Sequence, residues 1–198
     1  MSVFHKWKTV FIQIPKNASS SIFNRLSNTT DLQNQGNHTT FFDDMQNQDS
    51  ELFESYFSFA IIRNPYDRFI SAYEFASLDD SFVKLNFNEF VKKCENNGNN
   101  FYLQEPIYFI PQYKYITIKN IILVDEIIKF ENLNEEWVKI SKKINTLHNF
   151  TPIKETLEVI NATPHKMNKN WKDYYNEETK EIVYNLYKKD FEIFGYKK

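Results

Sequence analysis

The chain has 198 residues and a formal net charge of -2, and it is 41% hydrophobic and 17% aromatic, with 19 Phe and 12 Tyr. That length fits a single domain, 1–198, able to bury about two-thirds of its unfolded surface, and the apolar content excludes a disordered chain. The charge balance supplies no broad basic field for nucleic acid or an anionic membrane, so any anion must be held by a few placed residues.

One cysteine, Cys94, excludes an internal disulfide framework, and the polar start Met1 to Lys8 is unlike a secretory leader. A cytoplasmic location is the expectation. No apolar run approaches the ~20 residues that span a bilayer, so no membrane partner is expected.

The first predicted element is a buried strand, Thr9 to Ile14, stopped by Pro15. The loop Lys16-Asn17-Ala18-Ser19 then enters a helix from Ser20, with Ile22, Phe23 and Leu26 on one face. From Ser27 to Asp49 the composition turns to Asn, Gln, Thr and Asp, which reads as a long polar loop. A second strand, Tyr56 to Ile62, ends at Arg63-Asn64-Pro65, where Asn64 is placed to cap a helix that runs to about Phe75. A helical segment is expected at 87–94, irregular chain from Pro106 to Pro111, strand material at 121–124 and 127–130, and a helix from Leu133 to Ile144. Glu177 to Phe194 reads as one helix stopped by Gly195. Strands alternating with helices predict an α/β fold with a central, mostly parallel sheet.

In a parallel sheet, ligands bind beyond the carboxyl ends of the strands, and both informative loops lie at such ends. They are expected to share one crevice. The first offers the Lys16 ammonium, the hydroxyls of Ser19, Ser20 and Ser21, and the amides that open a helix, together suited to a phosphate or sulfate. The second offers the Arg63 guanidinium, expected to face solvent at a strand end, with Ser71 two turns into the following helix. The plain structural alternatives are a solvated Lys16, an Arg63 paired with Asp67, and a Ser71 that is merely small where helix meets sheet.

The stretch Ile14-Pro15-Lys16-Asn17-Ala18-Ser19-Ser20-Ser21-Ile22 resembles the 5′-phosphosulfate loop of sulfotransferases that use 3′-phosphoadenosine 5′-phosphosulfate (PAPS). Ile62-Arg63-Asn64-Pro65-Tyr66-Asp67-Arg68-Phe69-Ile70-Ser71-Ala72-Tyr73 resembles their 3′-phosphate motif. The likeness extends through Pro111-Gln112 and Phe130-Glu131-Asn132-Leu133 to Phe194-Gly195-Tyr196, and the chain looks like the branch that includes membrane-bound carbohydrate sulfotransferases and their small bacterial and phage relatives. It implies a P-loop-like three-layer fold, PAPS as donor with adenosine 3′,5′-bisphosphate (PAP) as product, a small-molecule or glycan acceptor, and no metal. By the same likeness, Lys16 meets the bridging oxygen between sulfate and phosphate, residues 16–21 cradle the phosphosulfate, and Arg63 and Ser71 hold the 3′-phosphate.

A base for the acceptor hydroxyl is still required, and histidine suits neutral pH. His38, in Gly36-Asn37-His38-Thr39-Thr40 between the two motifs, is the favoured candidate and His165 its rival. Lys169, with Lys166, Asn168 and Trp171, could close over the nucleotide, or be solvated. The main alternative function is a nucleotide-dependent phosphoryl transferase, since Ile121-Ile122-Leu123-Val124-Asp125-Glu126 imitates a Walker B strand. Against it, a Walker A loop needs glycines, and none of the three, at 36, 98 and 195, lies near Lys16. A catalytically silent nucleotide-binding module is the other alternative.

Overall fold

A computed structural model describes residues 1–27, 55–78, 85–97, 107–149, 152–157 and 170–198. These divide into two compact units, residues 1–62 with 112–161 and residues 63–111 with 162–198. The candidate base His38, its rival His165, and Lys169 lie outside the described residues.

The first unit holds a four-stranded sheet in the order β1 (Ser2–Phe4), β2 (Thr9–Ile12), β3 (Phe57–Ile62), β6 (Glu126–Lys129). β1 is antiparallel to β2, while β2, β3 and β6 run parallel, with Ile12 opposite Ala60 and Ile62 opposite Lys129. The sheet is mostly parallel and flanked by helices, the expected α/β, P-loop-like class. Every residue of β2 and β3 is buried, as parallel strands covered on both faces require. Phe11 and Phe59 stack at 4.9 Å, and Ile22 and Leu26 of α1 (Ser19–Ser27) join Trp137, Ile140 and Ile144 of α5 (Leu133–Thr146) in the same cluster. Each such large side chain contributes about 1.5–3 kcal/mol on burial. The Trp7 indole donates to the Leu26 carbonyl at 3.0 Å, satisfying one of the acceptors that α1 leaves open at its end.

A short helix α4 (Tyr113–Ile116) leads into a hairpin of β4 (Thr117–Ile118) and β5 (Ile121–Ile122). Lys119 and Asn120 turn it with both φ angles positive, 50° and 66°. Only two of the four apolar residues at 121–124 are strand. β1 and β4 escape the sequence reading because strands of two or three residues carry no usable period.

The second unit is helical: α2 (Pro65–Ala76), α3 (Phe87–Asn97), α6 (Glu177–Leu186) and α7 (Lys188–Phe194). Asn64 caps α2 as expected, its Oδ1 accepting from the Tyr66 amide at 3.0 Å, with Pro65 at the first helical position. α6 opens with a capping box between Asn176 and Thr179, and Gly195 ends α7 at φ 66°. The single helix expected over 177–194 is two, broken at Tyr187 (φ -113°, ψ 19°), whose hydroxyl donates to the Phe109 carbonyl at 2.6 Å. Apolar periodicity persists across the break because Ile182, Val183 and Phe191 enter one cluster with Tyr66, Phe69, Phe90 and Phe109.

Candidate functional site

The Lys16 loop leaves the carboxyl end of β2 and turns at once into α1. Lys16 has φ 69° and Ala18 φ 59°, so two residues bearing Cβ atoms sit in the left-handed region that glycine fills in Walker loops. Each such placement costs about 1–2 kcal/mol and needs support from its surroundings. Several contacts within the first unit provide it. The Ser19 hydroxyl donates to the Ile14 carbonyl at 2.8 Å, and the Ala18 carbonyl accepts from the Ser21 and Ile22 amides at 3.0 and 3.2 Å. The Asn17 side-chain amide donates to the Ile61 carbonyl at 2.7 Å and to Gln112 Oε1 at 2.8 Å.

These bonds sort the expected ligands. Both Asn17 amide hydrogens are taken up inside the protein, and the Ser19 proton points at Ile14, so neither side chain offers a donor to an anion in this arrangement. Ser20 is half-buried at the start of α1, Ser21 is buried, and Lys16 is half-buried at the turn. What the loop offers is the Lys16 ammonium, the Ser20 hydroxyl and the positive end of α1.

In the second unit, Arg63 opens the Arg63-Asn64-Pro65 turn into α2. It is only 3% exposed, which corrects the expectation that it faces solvent. The structural alternative for it is present as well: its Nε donates to Asp67 Oδ2 at 2.7 Å, one turn along α2. A guanidinium carries five N–H groups in a fixed fork, so one bond at Nε orients the rest of the group rather than exhausting it. Ser71, two turns into α2, is buried.

Trp171 stacks on Tyr66 with ring centres 5.2 Å apart and planes 12° from parallel. Tyr66 itself is 0% exposed, and its hydroxyl has no hydrogen-bond partner among the described residues. Burial, reinforced by Glu181, Tyr184 and Glu177, pushes that phenol up to about 12. Sequence reading names Tyr66 within the second motif and Trp171 beside Lys169, but not their contact.

Two histidines and the acidic pair near 125 lie at the wrong end of the sheet for donor chemistry. His5 bonds the Tyr56 hydroxyl at 3.0 Å, and His148 packs on Trp7 at 4.6 Å, both at the amino ends of β2 and β3. Burial, with Lys6 adding to it, lowers the His148 imidazole below its ordinary value. Asp125 accepts from the Ser58 amide and hydroxyl at 2.7 and 2.8 Å, just ahead of β6. A Walker B acid follows the carboxyl end of its strand, so Asp125 is a clamp on β3 and not a metal-binding acid.

The sequence matches the sulfotransferase family over residues 1–197. The chain belongs to that family. A protein of Archaeoglobus fulgidus described as uncharacterized is 33% identical over 94 residues, spanning 48% of this chain and 72% of its own length. No solved structure matches. As a sulfotransferase the chain is a transferase enzyme. No helix among the described residues is long and apolar enough to cross a membrane, and no group of three or more potential metal ligands occurs among them.

Proposed function

We propose that this sulfotransferase takes its sulfuryl group from PAPS and places it on the hydroxyl of a carbohydrate by in-line displacement, with no metal invoked. The observation that carries the reading is the backbone of the Lys16 loop, held at positive φ on both sides of Asn17 as it enters α1. When bound, PAPS supplies the sulfuryl group and, as PAP, the leaving phosphate. The donor set fits such a group: an ammonium, a hydroxyl and a helix start at one loop, a guanidinium and the buried Ser71 at the other.

Lys16 holds its positive charge at the bridging oxygen, where negative charge grows as the S–O bond breaks. Arg63 and Ser71 hold the 3′-phosphate and so separate PAPS from nucleotides that lack it. His38 accepts the proton of the attacking hydroxyl as the new O–S bond forms. Lys169 adds charge beside the nucleotide, and Asn17 and Ser19 act through the loop they hold rather than by touching the anion. We propose a cytoplasmic site of action, in keeping with the single cysteine. Thermal melting with PAP, AMP and ATP tests the donor: PAP should raise the melting temperature most, and equal shifts from AMP and PAP would remove the 3′-phosphate assignment.

A further inference from the structure

We propose that Asn17 is a positioning residue that locks the Lys16 loop into its anion-binding backbone before any ligand arrives, doing with one buried amide what glycines do elsewhere. The kinetic part of this inference rests on the donor reading above.

Asn17 stands between the two residues of its loop at positive φ, Lys16 at 69° and Ala18 at 59°. No glycine lies nearby to make that path free, so the loop needs an external hold. Asn17 is 1% exposed, and both hydrogens of its amide are engaged, on the Ile61 carbonyl and on Gln112 Oε1. β2 pairs with β3 only as far as Ala60. One residue further along β3, the Ile61 carbonyl takes the Asn17 amide, so the loop is fastened where strand pairing stops. Its Oδ1 is buried with no hydrogen-bond partner among the described residues. An asparagine that leaves its acceptor unsatisfied stabilises the fold less than its two bonds suggest, and the geometry it imposes on Lys16 is the remaining use for it. Buried Pro15 before the loop and the Ser19 bond to Ile14 after it confine the path from both sides.

Two measurements test this, one of them independent of turnover. Amide hydrogen exchange on the peptide covering residues 14–22 should speed up about tenfold or more in Asn17→Ala, while the β3 peptide 57–62 keeps its protection. With PAPS as donor, Asn17→Ala should lower kcat on the order of 10²-fold with little change in the donor KM. In a Lys16→Ala background the same change should cost less than about threefold, because a residue acting through Lys16 cannot act twice. Unchanged exchange in the loop peptide would overturn the proposal, and so would kcat losses that multiply across the Lys16 background, which mark general destabilisation. If Asn17→Ala does not fold, Gln112→Met removes one partner at similar volume, and faster loop exchange is again expected, with unchanged exchange counting against the lock. A wild-type protein that turns over no PAPS would defeat the donor reading alone, leaving exchange to decide the role of Asn17.

Discussion

Arg63 Nε donates to Asp67 Oδ2 at 2.7 Å, across one turn of α2, with the arginine side chain 4% exposed. The pair fixes the plane of the guanidinium, and that plane decides what its terminal N–H groups can grip. Charged hydrogen bonds of this kind contribute about 1.5–3 kcal/mol each. Arg63→Ala should therefore abolish the preference for PAP over AMP, measured by calorimetry at a temperature where the variant is folded. Because Arg63 is buried and paired, the variant should also melt lower than wild type. Retained preference for PAP would release Arg63 from the 3′-phosphate.

In the proposed reaction Lys16 meets charge that develops only as the S–O bond breaks, so its effect belongs to the transition state. Lys16→Ala should lower kcat by roughly 10²-fold or more, with a smaller change in PAP affinity. Steady-state kinetics beside PAP titration separates the two. A loss confined to affinity would make Lys16 a tether.

His38→Ala should reduce kcat by about 10²–10⁴-fold and leave PAP binding nearly intact. A general base must be neutral to accept a proton, so the acidic limb of the pH profile should vanish with it. Near-normal turnover of this variant would move the assignment to His165 or to a carboxylate.

Tyr66 and Tyr174 are both pushed up to about 12, chiefly by burial, with the Tyr174 hydroxyl also donating to Glu74 at 2.7 Å. Tyr175, whose hydroxyl donates to the Tyr66 carbonyl, is raised well above its ordinary value by the same cause. An unfolded tyrosine gives up its proton near pH 10, so above that pH the unfolded chain binds fewer protons than the folded one. Stability is thus fully present below about pH 10 and is lost as the pH rises toward about 12. Urea midpoints across this range should fall more gently for Tyr66→Phe and Tyr174→Phe than for wild type. Removing an unsatisfied buried hydroxyl, Tyr66→Phe should also hold or raise the melting temperature at neutral pH. A clear drop there would reveal a partner for the hydroxyl.

The strands at 9–12 and 57–62 were legible because both bury every residue, and the helix at 65–76 because Asn64 and Pro65 mark its start by side-chain chemistry alone. The Lys16 loop was legible as a residue set, one lysine with three serines, but its conformation was not. Its two residues at positive φ flank Asn17, whose partners Ile61 and Gln112 lie 44 and 95 positions away in the chain, which no local pattern encodes. The same limit hid the break at Tyr187, which coincides with its bond to Phe109, and the burial of Arg63, which a strand-end position alone does not reveal. Asp125 looked like a metal-binding acid because its apolar neighbours fit that template. Only the direction of β6 shows that it stands at the amino end.

The central claim, sulfuryl transfer from PAPS, is tested most directly by incubating the protein with radiolabelled PAPS and a panel of oligosaccharide and phenol acceptors. Label on an acceptor is followed beside PAP release, for wild type and Lys16→Ala. The account predicts label on a carbohydrate hydroxyl, matched mole for mole by PAP, and a rate at least about 10²-fold lower in Lys16→Ala. PAP release without acceptor label, or equal rates in the two proteins, would contradict it.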